Sequence, residues 1–266
     1  MKVLIYVLCY DSVSEKLAKE RFGSISWMKV LFIPTTFYLE SILYAEILSD
    51  LENEWITSDY VGTISYSCID KGLSIYTIKK AFTEASKQSE LPDVIAFYAE
   101  KNTNMINITN LLHPNFINVW DKLLNKLETV GCKQKIKNNQ IKGFFCNYWV
   151  AKPEWMIRYC SFFRKARVIL DYNQTIRSEI WKDSNYPLKL TQYELMRIYG
   201  KPYYPYIPFV CERLPCYYFE NENATILFNS IVDWKIENNR ILTVTEKSMN
   251  FENVDFSEIN EINDSN

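Results

Sequence analysis

The chain has 266 residues, 48% of them apolar and 15% aromatic, enough to bury one large core, and its formal net charge is −2. Residues 246–266 hold six acids against Lys247, which leaves +3 on the rest; so mild a charge argues against a nucleic-acid surface and suits the binding of one diphosphate. Seven cysteines without a C-x-x-C pair and a single histidine, His113, argue against a disulfide framework and against zinc, and place the chain in a reducing compartment, the cytoplasm.

Met1 to Cys9 offers the charged start and apolar run of a signal peptide, but Asp11 and the lack of a small-residue cleavage site argue against that reading. Residues 2–9 instead predict a strand buried on both faces, stopped by Tyr10-Asp11-Ser12. No stretch approaches the roughly 18 to 20 apolar residues that span a bilayer, so any membrane association is peripheral. Ser14 to Phe22 has helical composition, and Met28 to Pro34 is a second apolar run. Leu39, Leu43, Ile47 and Leu51 then recur every four residues as a helical stripe.

Asp59 to Ser67 predicts a third strand, Ser74 to Ser86 a helix and Asp93 to Ala99 a fourth strand. This alternation implies a single α/β domain over residues 1–245, a mostly parallel, Rossmann-like sheet flanked by helices. Phe116, Trp120, Leu123, Leu124 and Leu127 mark another amphipathic helix, residues 131–142 a polar loop, and Phe144 to Val150 a fifth strand. Pro153 suits the first turn of the next helix, whose bases Arg158, Arg164, Lys165 and Arg167 read as a solvated face. Residues 171–201 are weakly patterned, residues 201–208 form a rigid, proline-rich aromatic stretch, and residues 231–245 suggest a hairpin turning at Asn238-Asn239. Residues 246–266 are expected to be a disordered acidic tail.

Three segments carry a family likeness. Glu40 to Leu48, Trp55 and Asp59-Tyr60-Val61-Gly62 to Tyr66 resemble the opening pattern of the DUF4422 family, which groups exopolysaccharide and capsule glycosyltransferases. Phe145-Cys146-Asn147-Tyr148-Trp149 to Trp155, with Tyr159, resembles its asparagine-containing strand, and Phe209-x-x-Glu212-Arg213-Leu214 its closing motif. Small glycosyltransferases of large DNA viruses look similar, and a viral chain would sit in the host cytoplasm. The resemblance implies a GT-A-like fold in which a nucleotide sugar lies across the carboxyl edge of the sheet, a glycan or glycoprotein acceptor, and a role in polysaccharide biosynthesis. One departure stands out: the third strand ends Ser65-Tyr66-Ser67 where such enzymes usually carry an Asp-x-Asp pair.

Glycosyl transfer requires neutralisation of a leaving diphosphate and deprotonation of an acceptor hydroxyl. A divalent cation, manganese or magnesium held by Asp70, or the fixed cations Lys152 and Arg213 are the options for the first task; Asp70 as plain turn chemistry is the alternative. Glu212 is the candidate base, because its apolar neighbours would raise its pKa, and a bracing ion pair with Arg213 is its alternative. Tyr10, Asp11, Tyr66, Ser67 and Asn147 are the remaining candidate donor contacts. Tyr203, Tyr204 and Tyr206 suggest either a sugar-stacking platform or ordinary packing, and His113 is expected at the surface. The missing Asp-x-Asp pair also motivates a rival reading, a catalytically inactive domain that binds a sugar nucleotide or a partner.

Overall fold

The computed structural model describes residues 1–47, 51–55, 57–186, 190–230, 232–237 and 240–245, so the tail lies outside the described residues. In chain order the elements are β1 (Val3–Cys9), α1 (Ser12–Phe22), β2 (Met28–Phe32), α2 (Glu52–Trp55), β3 (Tyr60–Ser65), α3 (Ile75–Ser86) and β4 (Val94–Asn104). There follow α4 (Met105–Leu112), α5 (Phe116–Thr129), β5 (Lys142–Phe144), β6 (Trp149–Ala151), α6 (Pro153–Tyr172), α7 (Gln174–Ile180), α8 (Gln192–Tyr199) and α9 (Ile207–Asn221). The last three are β7 (Ile226–Ser230), β8 (Val232–Glu237) and β9 (Arg240–Thr245).

Seven strands form one mixed, mostly parallel sheet in the order β2-β1-β3-β6-β4, with β5 and β7 also on β4. β1 pairs in parallel with β2 and β3, and β4 with β7, while β6 runs antiparallel between β3 and β4. Alternate residues of each strand feed two cores. Tyr6, Leu8, Val94 and Ala96 face the layer built by α4, α5, α6 and α9, whereas Ile5, Val7, Ile95 and Phe97 face α1 and α3. Burial on both faces is why these strands read as continuous apolar runs.

Local chemistry starts several helices where the sequence places them. The Asp11 carboxylate caps α1 by accepting from the Ser14 N–H at 2.7 Å, Ser74 caps α3, and Pro153 opens α6. Gly62, in the Asp-Tyr-Val-Gly segment, pairs with Val150; a Cβ there would lie 2.2 Å from the Trp149 carbonyl oxygen, so β3 and β6 approach too closely for any side chain. The hairpin is present as antiparallel β8 and β9, from Val232 opposite Thr245 to Glu237 opposite Arg240, and its turn residues lie outside the described set.

Four expectations are corrected. The stripe from Leu39 is not one helix: Leu39 has φ 48°, and short 3₁₀ and π turns precede α2. The fifth strand is broken into β5 and β6 by left-handed Cys146 and Asn147, with φ 61° and 54°. Residues 171–201 contain α7 and α8, the latter opened by a Thr191–Glu194 capping box and closed by Gly200 at φ 64°. His113 is buried, not at the surface, because α4 ends on it and sets its ring 3.7 Å from Phe209 and 5.1 Å from Tyr186.

Candidate functional site

The strand order places a topological switch at β1. The chain leaves β1 through α1 to reach β2 on one side, and reaches β3 on the other side by way of a segment whose Ile33, Tyr38, Ile42, Leu43 and Trp55 pack on the opposite face. A crevice at the carboxyl ends of such a strand pair is where ligands bind in open α/β sheets. Tyr10 follows β1 and Tyr66 follows β3, and their rings meet edge-on at 6.3 Å. The Ser65 and Ser67 hydroxyls share a hydrogen bond of 3.0 Å beside them.

Because β6 is antiparallel, its start and not its end lies at this edge, which brings in Cys146, Asn147 and Tyr148. The turn is held from several sides. The Cys146 N–H donates to Glu212 Oε1 at 2.6 Å, and Thr63 Oγ1, itself bonded to Tyr44, donates to the Asn147 carbonyl at 3.1 Å. Asn147 is 5% exposed, yet its Oδ1 meets no partner. A strained backbone carrying a buried orphan acceptor is a feature that native proteins keep where a ligand completes it.

Glu40 and Lys71 join this group and had no role in the sequence reading, although Glu40 opens the family-like segment. Glu40 accepts from the Tyr10 hydroxyl, and burial followed by Glu40 holds that phenol well above its ordinary range. The same carboxylate acts electrostatically on Lys71, Cys146, Tyr148 and Tyr199. The Lys71 ammonium lies 5.3 Å from the Tyr148 ring centroid. Burial alone would lower its pKa, but Cys146, Tyr148 and Glu40 more than offset this, so the cation persists. The hydroxyl of Tyr199 in α8 is a second buried orphan.

Other expected site residues are engaged differently. Glu212 Oε1 accepts from the Cys146 N–H and Oε2 lies 2.9 Å from Arg213; burial pushes its pKa up, but Arg213, the Cys146 N–H and Lys71 together bring it below the usual carboxylate range, contrary to the expected rise. Arg213 is buried, donates to Thr109 at 2.7 Å and lies over Phe145. Lys152 follows the antiparallel β6 and so lies at the amino edge, away from Tyr10, where it donates to Asp93 at 2.9 Å. Asp11 spends its carboxylate on the α1 cap. Tyr204 and Tyr206 are buried packing residues, and Tyr203 donates to the Trp181 carbonyl.

Asp70 does not fit a cation site, since its two oxygens chelate Arg21 at 3.0 and 3.1 Å, and no group of three or more His, Cys, Asp or Glu side chains suited to a metal gathers among the described residues. All seven cysteines are free thiols. Among the described residues no helix is long and apolar enough to cross a membrane. No family model, no curated protein and no solved structure matches this chain.

Proposed function

We propose that the chain is a glycosyltransferase that takes a nucleoside-diphosphate sugar across the carboxyl ends of β1 and β3 and passes the sugar to a glycan or glycoprotein. The observation that carries this reading is the gathering of Glu40, Tyr10, Lys71 and the orphan atoms of Asn147 and Tyr199 at the switch point of the sheet. The GT-A-like arrangement implied by the family likeness agrees with a mostly parallel sheet that carries its polar cluster at that edge.

In this reading Lys71 neutralises the leaving diphosphate, because a fixed cation in a partly desolvated site stabilises charge as it develops. Asn147 Oδ1 accepts from a donor hydroxyl, and Tyr10 and Tyr66 flank the nucleotide. The base moves from Glu212 to Glu40: Glu212 has both oxygens committed, whereas Glu40 belongs to none of the ion pairs among the described residues and is oriented by the Tyr10 hydroxyl. Glu212 and Arg213 then position the Cys146–Asn147 turn.

A thermal-shift screen against UDP-, GDP-, CMP- and dTDP-linked sugars, with and without manganese, tests the binding step, since a ligand of the folded state raises Tm. One donor class is expected to shift Tm, Lys71→Ala to remove the shift, and Glu40→Gln to keep it while lowering turnover about 10²-fold or more. If no sugar nucleotide shifts Tm, the reading is wrong. A donor that binds without any turnover selects the inactive-domain reading, which is favoured by the commitment of Glu212 and Asp70 to ion pairs.

A further inference from the structure

A polar concavity lies away from the sheet edge, between the loop that follows α5, the Arg158–Lys165 stretch of α6 and the end of α9, with a volume of about 420 Å³. That volume lies in the range of small-molecule sites. Its rim carries Lys133, Lys135, Arg158 and Lys165 against one lining carboxylate, Glu222, which pairs with Lys135 at 2.7 Å. Lys133, Arg158 and Lys165 have no carboxylate partner among the ion pairs of the described residues.

Three features distinguish this cleft from a solvated helix face. The rim is built, because buried Asn221 at the end of α9 donates to the Lys133 carbonyl at 3.0 Å and accepts from the Lys135 N–H at 2.7 Å. Left-handed Gly131, φ 86°, lets the chain turn back to that anchor. The floor is aromatic, with Phe162 and Tyr218 tilted at 31° and 4.7 Å apart beside Tyr217. Tyr217 is 1% exposed, its hydroxyl has no partner, and it lies within the electrostatic reach of Cys132 and Glu222, both of which line the cleft. A buried phenol ordinarily finds a partner, so this one is left for something that enters the cleft.

We propose that this cleft binds a phosphate ester, with Lys133, Arg158 and Lys165 around the phosphate oxygens, the Tyr217 hydroxyl donating to one of them, and the floor of Phe162 and Tyr218 taking the ring or chain that bears the phosphate. Three unpaired cations exceed what a single carboxylate can neutralise, whereas a phosphate monoester brings a charge of about −1.5 to −2 and three acceptor oxygens. Arg158, which rests over the Trp155 ring at 5.2 Å, presents a planar fork suited to two of those oxygens.

The test is titration of the full-length chain with inorganic phosphate, glucose 1-phosphate and glucose, together with flotation on vesicles of phosphatidylcholine with and without phosphatidic acid. Glucose 1-phosphate or the phosphatidic acid vesicles are expected to bind and glucose and neutral vesicles not to; which of the two binds identifies a soluble ester or a lipid headgroup as the source. Lys165→Glu and Arg158→Glu are each expected to weaken binding about tenfold or more, and Tyr217→Phe about threefold or more without lowering Tm. Lys71→Ala reports on the sheet edge and is expected to leave this binding unchanged. The proposal is overturned if no phosphate-bearing probe binds, or if binding survives Lys165→Glu combined with Arg158→Glu, or is lost with Lys71→Ala alone.

Discussion

At the amino edge of the sheet Asp93 has both carboxylate oxygens in use, one accepting from Lys152 and the other from the Thr225 N–H and hydroxyl, all at 2.9 Å, whereas at the carboxyl edge Asn147 and Tyr199 bury polar atoms that meet no partner. Both edges carry polar groups, half-buried at Asp93 and buried at Asn147 and Tyr199, and taking a polar group out of water costs free energy at either end. At the amino edge the chain meets that cost itself: burial raises the Asp93 pKa, but Thr225 and Lys152 outweigh it and bring it below the ordinary range. At the carboxyl edge the chain stiffens the backbone, through Glu212 on Cys146 and Thr63 on Asn147, and leaves side-chain atoms open. Closed networks hold a fold together, and an open one held rigid is what binding needs.

The largest test of this contrast is Glu212→Ala, which strips the buried Arg213 of its counter-charge and the Cys146 N–H of its acceptor. It is expected to cost about 3–5 kcal/mol in urea denaturation, and a loss below about 1 kcal/mol would mean that the left-handed turn supports itself. Asp93→Ala comes next, with an expected cost of about 0.5–1.5 kcal/mol from the loss of its bonds to half-buried Lys152 and exposed Thr225, and unchanged sugar-nucleotide binding. Loss of that binding with Tm preserved would show that the amino edge is not merely structural.

His113 supplies a pH test of the same support layer. Burial first, and then Arg213, depress its pKa from 6.5 to about 3, so it stays neutral where the unfolded chain takes up a proton. Above the unfolded pKa neither state is charged; as pH falls below it, the unfolded state gains the proton and stability drops by about 1.4 kcal/mol per pH unit. Tm is therefore expected to fall between pH 7 and 5, and His113→Phe to flatten that slope; an unchanged slope would assign the acid sensitivity to other groups. The smallest effect is expected for Asp70→Ala, whose pair with Arg21 is exposed. Tm and sugar-nucleotide binding, with or without manganese, should both stay at the parent level, and a loss of manganese-dependent binding would restore Asp70 as a cation ligand.

Much of the strand framework was legible because β1, β3 and the start of β4 are buried between two helical layers, and burial on both faces writes itself into adjacent residues as apolar runs; the edge strand β2 is only partly covered and was legible from its apolar composition. The caps at Asp11 and Ser74 and the opening proline of α6 are equally local. α4, α8 and α9 were less legible. Thr191 and Glu194 give a capping box, but α9 contains Pro215, and buried residues nearly all round it erase the helical period. The break between β5 and β6 was hidden because left-handed Cys146 and Asn147 are non-glycine residues stabilised by Glu212, 66 positions later.

By itself, then, the sequence determined the alternation of strands and helices and the residues that follow β1 and β3, because each is set by neighbours in the chain, whereas the need for glycine at position 62 arises only where β6 packs against β3. Tertiary structure alone decided the site. Lys152 was expected beside the donor and lies at the opposite edge, since the direction of β6 is a property of strand pairing and not of its residues. Glu212 was read as a base or as a bracing ion pair with Arg213, and its oxygens meet the Cys146 N–H and Arg213; Glu40 and Lys71, 31 positions apart in the sequence, come within electrostatic reach of each other beside Tyr148 through the folding of two separate loops onto one edge. A carboxylate's task depends on what its oxygens touch, and those contacts exist only once the chain has closed on itself.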